Sequence, residues 1–117
     1  MRTPNGTRLL RRVFCRAQFE ALHSWPQASG DVAFLAHPHR HVFHVQVDVQ
    51  VKTTSREVEF ILLKRKVTRL LDGQRNLPET AHWSCERWAE WLLDKVNACR
   101  VEVSEDGENG AVVERGE

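Results

Sequence analysis

The 117-residue chain has almost no charge of one sign to spare. Seventeen Lys and Arg stand against sixteen Asp and Glu, so the formal net charge is +1 although 28% of residues are charged. No bulk basic field is therefore available for nucleic acid or an anionic membrane. Cysteine is scarce too. Three, an odd number at no regular spacing, argue against a disulfide framework and for a reducing compartment. There is no long apolar run, which excludes a transmembrane helix, and Met1 to Arg12 is polar and basic, unlike a secretory leader. The expectation is a soluble cytoplasmic protein. There is no internal repeat at the residue level. The length leaves room for one domain with a modest core, expected over residues 8–117 behind a loose terminus at 1–7. Domains this small often gain stability by assembling.

What is present is strict alternation. From His37 to Lys52 the chain passes from a histidine cluster into a strand pattern. Successive strand side chains point to opposite faces. His39, His41, Phe43, Val45, Val47, Val49 and Val51 therefore share one face, with Arg40, Val42, His44, Gln46, Asp48, Gln50 and Lys52 on the other. Arg12 to His23 alternates in the same way, and its small-to-apolar face also ends in a histidine. Ser24 to Pro38 reads as a connecting loop, long enough to carry function. Glu57 to Leu71 reads as a helix with Val58, Ile61, Leu62, Val67, Leu70 and Leu71 on its packed side, ended by Asp72-Gly73. Gln74 to Trp83 is a second loop. Ser84 is the expected N-cap of a second helix, whose Trp88, Trp91, Leu92 and Val96 form a bulky stripe suited to a core or a subunit interface. Cys99 to Glu105 alternates again, Asp106 to Gly110 is a turn, and Ala111 to Arg115 is a last strand. The order ββααββ predicts an α+β sandwich with an antiparallel sheet.

His23, His39 and His41 all stand at the ends of apolar strand faces. His39 and His41 leave one face about 6–7 Å apart at the backbone, close enough to converge on one ion at about 2.0–2.1 Å. With His23 from a neighbouring strand they offer three nitrogens and leave one position open, the arrangement of a catalytic rather than a structural zinc site. Iron, nickel or cobalt fit the same donors. The alternative is a pair of half-buried, hydrogen-bonded histidines at a strand end. His37 and His44 are rival ligands, His37 lying before Pro38 and His44 on the opposite face; His82 reads as a loop residue.

These residues resemble a known family. Phe19-Glu20-Ala21-Leu22-His23 is similar to the Phe-x-Ala-x-His of the 6-pyruvoyl-tetrahydropterin synthase and 6-carboxytetrahydropterin synthase family, and His39-Arg40-His41 to its His-Gly-His segment. Val58-Glu59-Phe60 with Leu63-Lys64 resembles the entry to its first helix. Leu71-Asp72-Gly73-Gln74-Arg75-Asn76-Leu77 resembles its Leu-Asp-His-x-x-Leu-Asn loop, and Ser84-Cys85-Glu86 its Thr-Ser-Glu. Val101-Glu102-Val103-Ser104-Glu105 resembles its Val-x-Val-x-Glu strand, and the Arg115-Gly116-Glu117 ending also fits. The ordered set, spanning residues 11–117, carries the likeness rather than any one motif.

The resemblance implies a tunnelling fold, with two helices on one face of the sheet and three subunits closing an oligomeric barrel, often stacked as a hexamer. It implies Zn2+ held by His23, His39 and His41, and a pterin held at its pyrimidine edge by Glu105 with help from Ser84. A carboxylate suits that edge because it accepts two parallel hydrogen bonds. The implied activity is that of a lyase acting on 7,8-dihydroneopterin triphosphate or a related pterin. Family members serve biopterin, folate and queuosine/deazaguanine biosynthesis, and the compact length leans toward the last.

The chain departs from the family in its proton chemistry. Leu35 stands where the family has a cysteine base, and Gly73 replaces the histidine after Asp72. Leucine cannot take a proton and glycine cannot relay one. Asp72 and His37 are the catalytic candidates left near these positions, histidine being the side-chain type suited to proton transfer near neutral pH. Cys85 is a further candidate because a helix N-terminus lowers a thiol pKa. Cys15, eight residues along the strand from His23, is about 26 Å away and excluded within one subunit. The alternative function is a pterin- or purine-binding protein that keeps the zinc site without the usual turnover, and a zinc-free barrel subunit stands third.

Overall fold

The computed structural model describes residues 5–116. Positions 1–4 of the expected loose terminus and Glu117 of the Arg-Gly-Glu ending lie outside the described residues. The protein is α+β. Four strands, β1 (Arg11–His23), β2 (His39–Val51), β3 (Arg100–Glu105) and β4 (Asn109–Glu114), form one sheet in the order β1-β2-β3-β4, every neighbour antiparallel. Helices α1 (Phe60–Gln74) and α2 (Cys85–Lys95) lie between β2 and β3 in the chain.

Alternation in the sequence becomes the two faces of this sheet. Val47 pairs with Cys15 on one side and Val101 on the other, and Val45 lies between Ala17 and Val103. These apolar side chains pack with Leu63, Val67 and Leu71 of α1 and with Trp88, Ala89 and Leu92 of α2 in one core. Both helices therefore cover the same sheet face. Phe19 stacks on Phe43 at 4.9 Å between ring centroids, and Trp88 closes on Phe19 at 4.8 Å. The opposite face is mostly polar, with Phe14, Leu22 and Val112 exposed on it. Arg16 donates to Gln46 at 3.0 Å and Arg12 pairs with Glu114 at 2.8 Å across it. Among the described residues no helix is long and apolar enough to cross a membrane.

Helix α1 is displaced from the stretch its pattern suggests, beginning at Phe60 rather than Glu57 and running to Gln74 rather than Leu71. Glu57 is taken up by the turn after β2, where its carboxylate accepts the backbone N–H groups of Lys52 at 2.6 Å and Thr53 at 2.7 Å. Glu59 caps the helix instead, accepting from Ile61 N–H at 2.7 Å. At the other end Gly73 does not terminate the helix. The last turn is anchored by buried Leu71, whose carbonyl accepts from Arg75 N–H at 2.9 Å, and this outweighs a glycine penalty of about 1 kcal/mol. The buried stripe is Leu63, Val67 and Leu71, four residues apart, while Ile61 and Leu62 of the expected stripe are exposed. Both presumed loops contain a short 3-10 helix, Gly30–Ala36 and Pro78–His82, and the last turn closes at Asp106–Glu108, so β4 starts earlier than expected. Ser84 caps α2 as its sequence suggests, accepting from Arg87 N–H at 3.1 Å.

Candidate metal centre

Antiparallel pairing puts the end of β1 beside the start of β2. His23 is the cross-strand partner of His39, and Ala21 of His41. On the other side of β2, Phe43 faces Glu105, the last residue of β3. One end of the sheet thus collects three imidazoles and a carboxylate. The ring centroids of His39 and His41 are 4.6 Å apart, those of His23 and His39 5.4 Å, and those of His23 and His41 6.3 Å. One nitrogen from each ring lies within 4.8 Å of the other two, so His23, His39 and His41 form a group able to bind a metal ion. Donors on a tetrahedral ion at about 2.1 Å sit roughly 3.4 Å apart, a contraction that small side-chain rotations supply.

The hydrogen bonding shows which nitrogens face the centre. His39 Nδ1–H donates to the His37 carbonyl at 2.8 Å, and His41 Nδ1–H donates to Asp106 Oδ2 at 2.9 Å. Both acceptors lack a proton to give, so Nδ1 is the donor, and in the neutral ring Nε2 is left with the lone pair. The nitrogens left over, His23 Nδ1, His39 Nε2 and His41 Nε2, are buried and have no hydrogen-bond partner. A buried polar atom without a partner costs about 1–3 kcal/mol. Three of them, one per ring and facing one another, fit the donor set of a divalent cation and do not fit three hydrogen-bonded strand-end histidines. Burial pushes the His23 pKa down, the Glu105 carboxylate opposes that, and the two neighbouring histidines add to it. The neutral, metal-binding form is the favoured one.

A cavity of about 400 Å³ adjoins the group, within the range of small-molecule sites. His23, His39, Glu105, Ser84, Leu35 and His82 are among the residues on its wall. Glu105 places its oxygens 3.8 Å from His23 Nδ1 and 3.5 Å from His41 Nε2, too far for hydrogen bonds. Its carboxylate therefore lies beside the histidines on the cavity wall.

Other sequence candidates fall elsewhere. His37 is exposed and contributes its backbone carbonyl rather than its ring. Asp72 is an exposed residue of α1, 3.7 Å from Arg75, on a groove with Ile61, Lys64 and Arg65; within one subunit it does not reach the cavity. His44 sits on the opposite sheet face beside Gly107. Cys85 does line the cavity, but burial pushes its thiol up to about 12, with Glu105 and Glu86 adding to the rise. The expected helix-terminus lowering is overridden because the buried thiolate would face two carboxylates.

Two residues that the sequence pattern passed over belong to the site. Asp106, read only as a turn residue, holds His41. Its own pKa is lowered by that hydrogen bond first and by the Val42 N–H second. His82, read as a loop residue, is carried to the cavity because the Ser24 N–H bonds to the Ala81 carbonyl at 3.0 Å, tying the Pro78–His82 segment to the end of β1. Its Nδ1 is 3.1 Å from Ser24 Oγ and 3.4 Å from the Ser24 carbonyl, so Nδ1 carries the proton and Nε2 is the basic nitrogen. No local signal marked either residue, since both are placed by partners far away in the chain. No protein-family model and no curated protein matches this chain.

Proposed function

We propose that this chain is a zinc-dependent lyase of the 6-pyruvoyl-tetrahydropterin and 6-carboxytetrahydropterin synthase type, acting on 7,8-dihydroneopterin triphosphate or a related pterin. One observation carries the reading: three buried, unpartnered imidazole nitrogens converge beside a cavity whose wall also holds Glu105 and Ser84. An all-imidazole set of three with one position open suits zinc in its catalytic form. His23, His39 and His41 would hold the ion, which when bound supplies Lewis acidity to the oxygens of the pterin side chain. Glu105 would take the amino-pyrimidinone edge through two charge-assisted hydrogen bonds, and the Ser84 hydroxyl would assist. His82, with Nδ1 engaged by Ser24, would be the proton acceptor in place of the family's cysteine. The open edges of β1 and β4, and the exposed Phe60, Ile61 and Leu62 of α1, support assembly of a homo-oligomer, a trimer or hexamer of the tunnelling type. Three free cysteines fit a reducing, cytoplasmic setting.

A second reading, a pterin- or purine-binding protein that keeps the metal without turnover, is favoured by Leu35 on the cavity wall and by the unreactive Cys85 thiol. Both readings require stoichiometric zinc that is lost in His39→Ala. Incubation of the zinc-loaded protein with 7,8-dihydroneopterin triphosphate, with analysis of products, separates them. Turnover that falls about 10²–10⁴-fold in His82→Gln with zinc retained supports the first. No turnover, with tight pterin binding that disappears in Glu105→Gln, establishes the second. Neither turnover nor pterin binding overturns both.

A further inference from the structure

Glu105 and Asp106 are adjacent, and in a continuing strand their side chains would leave opposite faces of the sheet. Asp106 instead has φ 57°, a left-handed conformation that Asp tolerates better than most residues, and Gly107 follows at φ 74°. The break in alternation brings both carboxylates to the same imidazole. Glu105 approaches His41 Nε2 at 3.5 Å and Asp106 Oδ2 accepts from His41 Nδ1–H at 2.9 Å.

Asp106 is itself held on two sides. Its N–H donates to the Val42 carbonyl at 2.7 Å, and its Oδ1 accepts from Val42 N–H at 3.1 Å. Together these extend the β2–β3 pairing one step past Phe43 and Glu105. One oxygen is thus used on the backbone, which would suffice for a turn aspartate. The other is left for the ring. Of the three histidines, His39 leans on a backbone carbonyl, whereas His41 has a carboxylate on its remote nitrogen.

We propose that Asp106 is the positioning residue of the metal centre, fixing His41 as its Nδ1–H tautomer so that Nε2 is presented to a divalent cation. The inference rests on the metal reading above. A carboxylate on the far nitrogen orients a ligating imidazole and raises its basicity, and its loss typically weakens metal binding 10–100-fold.

The test is titration of the full chain with Zn2+ in competition with a chromophoric chelator, paired with nitrogen-15 NMR of the histidine rings. Asp106→Gly keeps the left-handed backbone without strain and removes the carboxylate. Its zinc affinity is expected to fall about 10–100-fold, and the His41 ring of the metal-free protein to change from the Nδ1–H tautomer to a mixture. Asp106→Asn also tolerates this backbone, but with its Oδ1 on Val42 N–H its amide nitrogen faces His41 Nδ1 as a donor, so it is expected to shift His41 toward the Nε2–H tautomer and to weaken zinc binding at least as much. It carries the test should the glycine variant not fold. Zinc binding by the unsubstituted protein, with unchanged affinity and tautomer in the folded variants, overturns the role of Asp106 alone. Failure of the unsubstituted protein to bind zinc overturns the metal reading and this inference with it.

Discussion

Adding zinc should raise the melting temperature of the unsubstituted protein by an amount that the site and the chain length set. Three buried nitrogens without partners are a cost to the metal-free fold that an ion removes. At a free zinc concentration one hundred times the dissociation constant, binding to the folded state alone contributes about 2.7 kcal/mol. The unfolding entropy of a 117-residue chain near its midpoint is about 0.25 kcal/mol per kelvin. The melting temperature should therefore rise by about 11 °C, measured by differential scanning calorimetry with and without zinc. His39→Ala should abolish that rise while leaving the metal-free melting temperature within a few degrees. The substitution removes one unpartnered nitrogen, and this offsets the lost ring contacts with His23 and His41 at 5.4 and 4.6 Å between centroids. If the histidines were ordinary hydrogen-bonded core residues, the signs would reverse: zinc would do nothing and His39→Ala would melt lower. A melting temperature indifferent to zinc refutes the reasoning.

Three further outcomes follow from two residues on the cavity wall. Cys85, raised to about 12 from an ordinary value of 9.0, is roughly one part in 10⁴ thiolate at pH 8 and should resist a disulfide-exchange reagent until the protein unfolds. Since the folded state favours the neutral thiol, its contribution to stability is complete below 9.0 and is lost as pH rises from there toward about 12. Melting temperature should fall with alkaline pH, less steeply in Cys85→Ala. Gly110 pairs with Ser104 across β3 and β4, where an added Cβ would collide with the Val103 carbonyl oxygen and lie 2.6 Å from the Ser104 Cα. Because these obstacles are backbone, Gly110→Ala should lower stability by about 3 kcal/mol or more, read as a drop in the urea midpoint.

Much of the fold was legible because its rules are local. Alternation over His39 to Val51 assigns each side chain to a face without reference to any partner, so His39 and His41 could be put together, with Phe43, Val45 and Val47 behind them. Serine before a helix is read within three residues, and Ser84 does bond to Arg87. Helix α1 was harder. Its apolar residues fit more than one stripe, and the choice of Leu63, Val67 and Leu71 over Ile61 and Leu62 was made by the sheet it packs against. Its start was moved by Glu57, whose carboxylate found backbone partners in the preceding turn.

For the site, the sequence alone determined the donor types: imidazoles spaced two apart on one strand, a third at the end of another, and a carboxylate closing a third strand face. Tertiary structure decided what those groups can do. The register of β1 on β2 set His23 opposite His39, a choice made by contacts along the whole strand pair. The left-handed backbone at Asp106 turned a turn residue into the partner of His41. A backbone bond between Ser24 and Ala81 carried His82 to the cavity across nearly half the chain. Burial beside Glu105 and Glu86 reversed the expectation for Cys85. Side-chain direction and capping depend on dihedral angles within a few residues, whereas register, desolvation and the nitrogen left unpartnered on each ring depend on groups brought together from distant parts of the chain.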